Sequence, residues 1–187
     1  SEMIKDILES WGTVHIFTSP RRFGKSLNML MLRDFFTIGT DKTLFDGLEI
    51  SKYPQICEEY MARFPVIFIT LKNISARSFK DALEKMGEVI KDEARRHQYL
   101  LESDKLTDID KKAIAPLYED QIAPQKQWGS LKVLSEMLYK HFGQKPIILI
   151  DEYDVPLDKA YVNGYYDEFF ELMRSIFEMA LKSNEYL

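Results

Sequence analysis

The sequence predicts an α/β fold with a mainly parallel sheet, and three observations carry that prediction. Short β-branched or aliphatic runs at Thr13–Thr18, Val66–Leu71 and Ile147–Ile150 alternate with longer helix-forming stretches. The last two runs are apolar throughout, the pattern of strands buried on both faces. No internal repeat, low-complexity tract or Gly/Ser linker interrupts the alternation.

Taken in order, Ile4 to Trp11 reads as a short helix ended by Gly12. Thr13 to Thr18 (TVHIFT) is the first strand, and Leu27 to Phe36 (LNMLMLRDFF), rich in helix formers and without Gly or Pro, is the next helix. Gly39, Thr40 and Asp41 break it, a brief turn falls at Leu44 and Phe45, and Tyr53 to Phe64 is helical again. Pro65 opens the second strand, whose unbroken apolar character predicts a central rather than an edge position. From Ser78 to about Leu101, Phe79, Leu83, Met86, Val89, Ile90 and Ala94 recur at helical spacing between charged residues, which predicts one long amphipathic helix. Asp108 to Ile122 and Ser130 to Phe142 are two further helices, parted by the breaker Ala123-Pro124-Gln125-Lys126. There is more helix here than one crossover requires, so residues 78–142 are expected to form a helical insertion within a single domain. After the third strand, Pro156 can continue neither a ladder nor an established helix, so a loop is expected over Tyr153–Leu157. An Asn163-Gly164 turn then leads into a helix over Tyr166–Lys182, with Phe169, Phe170, Met173, Ile176, Phe177 and Leu181 read as core.

Composition excludes several classes. The 187 residues, 45% hydrophobic and 13% aromatic, suffice for one sizeable core. A net charge of -5 opposes an extended nucleic-acid surface, so any DNA contact must be local. The lone Cys57 cannot form an intramolecular disulfide and reads as a bystander, consistent with a reducing cytoplasm. The longest apolar runs are far shorter than the ~20 residues a membrane span needs, and no leader pattern is visible. His15, His97 and His141 lack metal-ligand spacing and are assigned no chemistry.

Between the first strand and its helix lies Ser19-Pro20-Arg21-Arg22-Phe23-Gly24-Lys25-Ser26-Leu27. A helix starting near Gly24 aims unpaired backbone N–H groups and the positive end of its dipole at the loop, where a phosphate fits. In the G-x-x-x-x-G-K-[ST] loop the amides cradle phosphates, the lysine reaches the β/γ-oxygens and the hydroxyl ligates magnesium. Gly24, Lys25 and Ser26 match that pattern, whereas Ser19 stands where it has its first glycine. A match to Gly-Lys followed by Ser or Thr alone arises by chance in roughly one chain in ten of this length, so a second signal must decide. It comes from Lys145-Pro146-Ile147-Ile148-Leu149-Ile150-Asp151-Glu152, where a buried-strand run ends in two acids at the end at which open α/β sheets bind ligands. In this Walker B reading Asp151 holds magnesium through water and Glu152 polarises the water that attacks the γ-phosphate. Asp154 is either a group that steadies Lys25 or a metal-bound water, or a helix cap.

At these residues the chain resembles the bacterial AAA-ATPase-like family, whose members carry a PRRFGK[ST] loop and a later DEYD segment. The matching text is SPRRFGKSLNMLMLRDFF, DKTLFDGLEI, PVIFITLKN, IILIDEYDVPL and NGYYDEFFELMRSIF, spread over most of the sequence. The resemblance implies a P-loop NTPase core of the additional-strand, AAA-like type, three layers around the sheet, with ATP as the nucleotide. In that topology a further strand follows the helix after Walker B and lies between the loop strand and Ile147–Ile150. The chain stops short of it, so a domain truncated at its C-terminus is expected. Relatives often continue into a PD-(D/E)XK nuclease-like domain, which would bring DNA as a partner through a domain these residues do not contain.

The resulting expectation is a Mg2+-dependent ATPase that drives or licenses an attached or separate effector, with ATP and Mg2+ as its cofactors. Arg21 and Arg22 would clamp phosphate oxygens or reach a neighbouring subunit of a homo-oligomer, against the plainer role of surface ion pairing. The competing class is a non-catalytic module that binds nucleotide, protein or nucleic acid through a partly degenerate loop, for which Ser19 is the best argument. A nuclease centre within the chain would need an acid-acid-lysine cluster on a strand pair, and none is evident.

Overall fold

The computed structural model describes residues 1–10, 14–16, 24–182 and 184–187. Two compact units make up the chain, Ser1–Val66 and Ile67–Leu187.

In the first unit, α1 (Glu2–Glu9) buries Ile4, and Ser1 Oγ accepts the N–H of Ile50 at 3.2 Å. Helix α2 (Lys25–Phe36) buries Met29, Leu32, Phe35 and Phe36, one stripe at helical spacing. Its last turn passes into an extended Thr37, whose Oγ1 donates back to Arg33 O at 2.6 Å. Helix α3 (Pro54–Tyr60) opens on a proline, where the missing N–H has no helical acceptor to lose. It stops short of the expected Phe64 because Ala62 turns into left-handed backbone at φ 59°. That turn sets Ala62 N–H on Phe35 O (2.7 Å) and Phe64 N–H on Phe36 O (2.9 Å), and Thr37 and Phe64 form a parallel bridge. Phe36 packs edge-on to Phe35 at 5.2 Å and to Phe64 at 5.8 Å, which gives this small unit an aromatic centre. Of the expected first strand, Val14, His15 and Ile16 are described and lie in no ladder. Thr13, Phe17 and Thr18 lie outside the described residues.

The second unit is built on β1 (Val66–Thr70) and β2 (Ile147–Asp151), a parallel pair continued by Leu71 N–H on Asp151 O at 3.0 Å. Among the described residues the sheet has these two strands, so the α/β class holds while the expected three-layer core is not what they display. Among the described residues Val66–Leu71 does not take the central position that its apolar run predicts. On the side away from β2 the Phe68 N–H is taken at 2.8 Å by the carboxylate of Glu93, so a side chain occupies that edge of β1. In β2, Leu149 and Asp151 are buried whereas Ile147, Ile148 and Ile150 are half-buried, less enclosed than the apolar run suggested. Among the described residues β2 pairs with β1 alone, and a strand with one neighbour is not enclosed as a central one is.

Between the strands come α4 (Phe79–Arg96), α5 (Asp108–Ile114), α6 (Pro124–Gln127) and α7 (Ser130–Phe142). Ser78 caps α4 by accepting Asp81 N–H, and Thr107 with Asp110 forms a reciprocal capping box on α5. The expected breaker 123–126 is instead the start of α6, because Pro124 occupies its first position. Gly87, inside α4, lies against the Gln127 side chain: a Cβ there would meet Gln127 Nε2 at 3.0 Å, so the amide would have to give by a few tenths of an ångström. The core joins Ile67, Ile69 and Leu71 to Met86 and Ile90 of α4, Leu134 and Met137 of α7, and Phe169, Met173 and Ile176 of α9 (Tyr166–Leu181). Tyr165 Oη donates to Ala76 O at 3.0 Å and ties the start of α9 to the segment after β1.

The loop expected at Tyr153–Leu157 is the second correction. Helix α8 runs over Asp154–Asn163, with Pro156 in its first turn, where its absent N–H breaks no helical bond and its fixed φ suits the helix. Gly164, at φ 77°, ends it. In α9, Phe169, Met173 and Ile176 are buried as expected, but Phe170 is 42% exposed.

Candidate functional site

Sequence places the candidate residues at two chain ends, one in each unit. Ser19, Pro20, Arg21, Arg22 and Phe23 lie outside the described residues. Gly24 is the N-cap of α2 at φ 76°, a conformation open to glycine and strained for other residues. Lys25 and Ser26 are the first two residues of α2 and are half-buried, while Leu27 is 71% exposed. The first helical bond runs from Asn28 N–H to Gly24 O at 2.9 Å, so the N–H groups ahead of it point out of the helix end rather than into its ladder. No acid occupies the first turn, and the positive end of the dipole therefore faces outward without a side-chain carboxylate of its own helix.

In the second unit, Asp151 closes β2, 4% exposed, and its Oδ1 accepts the backbone N–H of Glu152 at 3.0 Å. Glu152 stands at φ 56°, left-handed backbone that costs a non-glycine residue roughly 1–2 kcal/mol. Backbone strain of this kind concentrates where a side chain must be aimed. Asp154 begins α8 directly beyond, so the strand end carrying the acids is followed at once by a helix N-terminus. Among the described residues no three His, Cys, Asp or Glu side chains gather into a metal site. A magnesium ion taking most of its ligands from phosphate and water does not require such a cluster, and the carboxylate of Asp151 and the hydroxyl of Ser26 are each, taken singly, hard oxygen donors of the kind that ion accepts.

Sequence reasoning missed a groove of about 510 Å³ lined by Tyr153, Asp154, Leu157, Asp158, Tyr161, Val162 and Tyr166. The signal was present, since Tyr153, Leu157 and Tyr161 recur four apart, but it is visible only once the segment is read as helix.

The chain belongs to the AAA-ATPase-like family, described as predicted AAA-ATPase, which it matches over residues 1–187. Membership supports ATP binding as the general class of function. No curated protein and no solved structure matches the chain. Among the described residues no helix is long and apolar enough to cross a membrane.

Proposed function

We propose that this chain binds ATP with Mg2+ and hydrolyses it, and that the nucleotide cycle drives or licenses an attached or separate effector. The observation that carries the reading is Gly24: a left-handed glycine leads directly into a twelve-residue helix that opens Lys-Ser, as a phosphate-cradling loop requires. On this reading 1–187 is one P-loop domain with a helical insertion at 78–142.

The roles follow from the chemistry of each group. Lys25 neutralises the β/γ-phosphate oxygens, and the N–H groups at the start of α2 hold the phosphate chain. Ser26 and Asp151 would hold magnesium, which when bound would supply charge neutralisation to the phosphate oxygens. Asp151 fixes the Glu152 N–H with one carboxylate oxygen, and its other oxygen would serve the ion. Glu152 orients the attacking water and accepts its proton. Arg21 and Arg22 clamp phosphate oxygens or act on a neighbouring copy in an oligomer.

Calorimetric titration with Mg·ATP, paired with phosphate release, tests the assignment. Lys25→Ala should remove most affinity, and Glu152→Gln should bind normally and turn over at least about a hundredfold slower. Normal turnover in Glu152→Gln rules out the water-orienting role. Binding without any turnover in the wild-type chain favours the non-catalytic module, the reading that Ser19 at the first-glycine position supports.

A further inference from the structure

We propose that Thr70 is a further positioning residue beside the acid pair, its hydroxyl sharing with Asp151 one water of the magnesium shell; the inference rests on the ATPase reading. The register of the two strands carries it. β1 and β2 are parallel and of five residues each, and the Leu71 N–H on Asp151 O at 3.0 Å fixes how they are set against one another. In a parallel ladder that bond puts Thr70 level with Asp151. Level residues on neighbouring strands stand about 4.8 Å apart and project from the same face of the sheet. Packing agrees with this register, for Ile67, Ile69 and Leu71 gather with Ile148 and Ile150 in one hydrophobic cluster, which leaves Phe68, Thr70, Leu149 and Asp151 to the opposite face.

Thr70 is exposed at the tip of an otherwise apolar strand, beside an Asp151 that is 4% exposed. Asp151 gives Oδ1 to the Glu152 N–H, while its other oxygen and the Thr70 hydroxyl make no hydrogen bond among the described residues. A carboxylate and a hydroxyl one strand apart, on one face and not bonded to each other, are spaced for a single water to bridge them. A water whose lone pair is given to a cation has two protons to place. Asp151 takes one, and the Thr70 oxygen accepts the other. Strand propensity would also favour threonine here, but it favours valine as much, and valine has the same shape without the oxygen. Substitution therefore separates the two roles.

The test is titration of Mg2+ into the whole chain with a fluorescent ATP analogue, reading binding of the analogue rather than turnover. Thr70→Val and Thr70→Ala should each raise the Mg2+ concentration for half-maximal binding about tenfold, the loss expected of a group that acts through a ligand of the ion. Thr70→Ser should restore the wild-type value, and binding in EDTA should be equal in all four proteins. Added to Asp151→Asn, Thr70→Val should change nothing further, because the shared water has already lost its carboxylate. Circular dichroism verifies that each variant is folded. A wild-type magnesium response in Thr70→Val overturns the proposal. So does a serine variant as impaired as the valine one, a valine effect that persists in EDTA, or additive effects of the two substitutions. A normal response in Thr70→Val beside a shifted one in Asp151→Asn overturns this inference alone. A wild-type chain that binds no analogue, or binds it without regard to magnesium, overturns the ATPase reading and this inference together.

Discussion

Asp151 Oδ1 accepts the backbone N–H of Glu152 at 3.0 Å, and the residue held in this way adopts left-handed backbone at φ 56°. A glycine would take that conformation without strain. The chain instead keeps a carboxylate there, at the end of a strand whose last side chain is itself a buried acid.

Stability at position 152 should therefore invert the usual order of small residues. Glu152→Gly is expected to be more stable than Glu152→Ala by about 1 kcal/mol, whereas at unstrained positions alanine is the more stable of the two. Urea denaturation of the two variants measures the difference. An alanine variant as stable as the glycine variant, or more so, contradicts the strain.

Glu93 offers a test of the sheet. Its carboxylate, 4% exposed, accepts Phe68 N–H at 2.8 Å and Arg96 Nη1 at 2.8 Å, and lies 3.2 Å from His97 Nε2. Glu93→Ala leaves a strand donor and two cationic or polar partners without their acceptor, and should destabilise by about 3 kcal/mol. Glu93→Gln, which still accepts from Phe68, should lose less. A urea midpoint unchanged in Glu93→Ala would show that β1 does not depend on this carboxylate. The alanine variant should also aggregate more readily, because the edge of β1 is uncovered.

Asp110 gives a pH dependence with a definite sign. The Lys140 ammonium, 2.6 Å away, holds its carboxyl below the ordinary aspartate value, assisted by hydrogen bonds from Thr107 and opposed by burial. Lys140 is in turn raised by its bonds to Asp110 and then Glu136. A depressed carboxyl stabilises the fold fully above its unfolded value and loses that contribution as pH falls through the folded one. The wild-type chain should thus lose stability relative to Asp110→Asn as pH drops below about 4. Urea midpoints of both proteins between neutral and acid pH measure it, and parallel curves would dismiss the pair as a contributor.

Much of the fold was legible in the sequence because its signals are local. Ser130–Phe142 and Ile147–Ile150 fall where periodicity and aliphatic runs put them, and Tyr166–Leu181 differs by a single residue at its end. The edge position of β1 was not legible. Its apolar run reads the same whether the strand is covered by another strand or by the carboxylate of Glu93, which lies 25 residues away in sequence. Pro156 misled for a different reason, since it forbids continuing a helix but not beginning one, and α8 starts two residues before it. With that helix read as loop, the Tyr153-Leu157-Tyr161 stripe could not be recognised. At the candidate site, Gly24 before Lys-Ser and the acids after Ile150 were visible as motifs, but the left-handed turn at Glu152 has no signature in residue type.

Lys25 and Asp151 are proposed to act on one triphosphate, and affinity labelling measures whether they do. An acyl phosphate of ATP transfers its acyl group to a lysine beside the terminal phosphate, and peptide mass analysis identifies the lysine. Labelling is expected at Lys25, suppressed by excess Mg·ATP and losing its magnesium dependence in Asp151→Asn. Labelling spread over other lysines, or a Lys25 signal indifferent to Asp151→Asn, would contradict it.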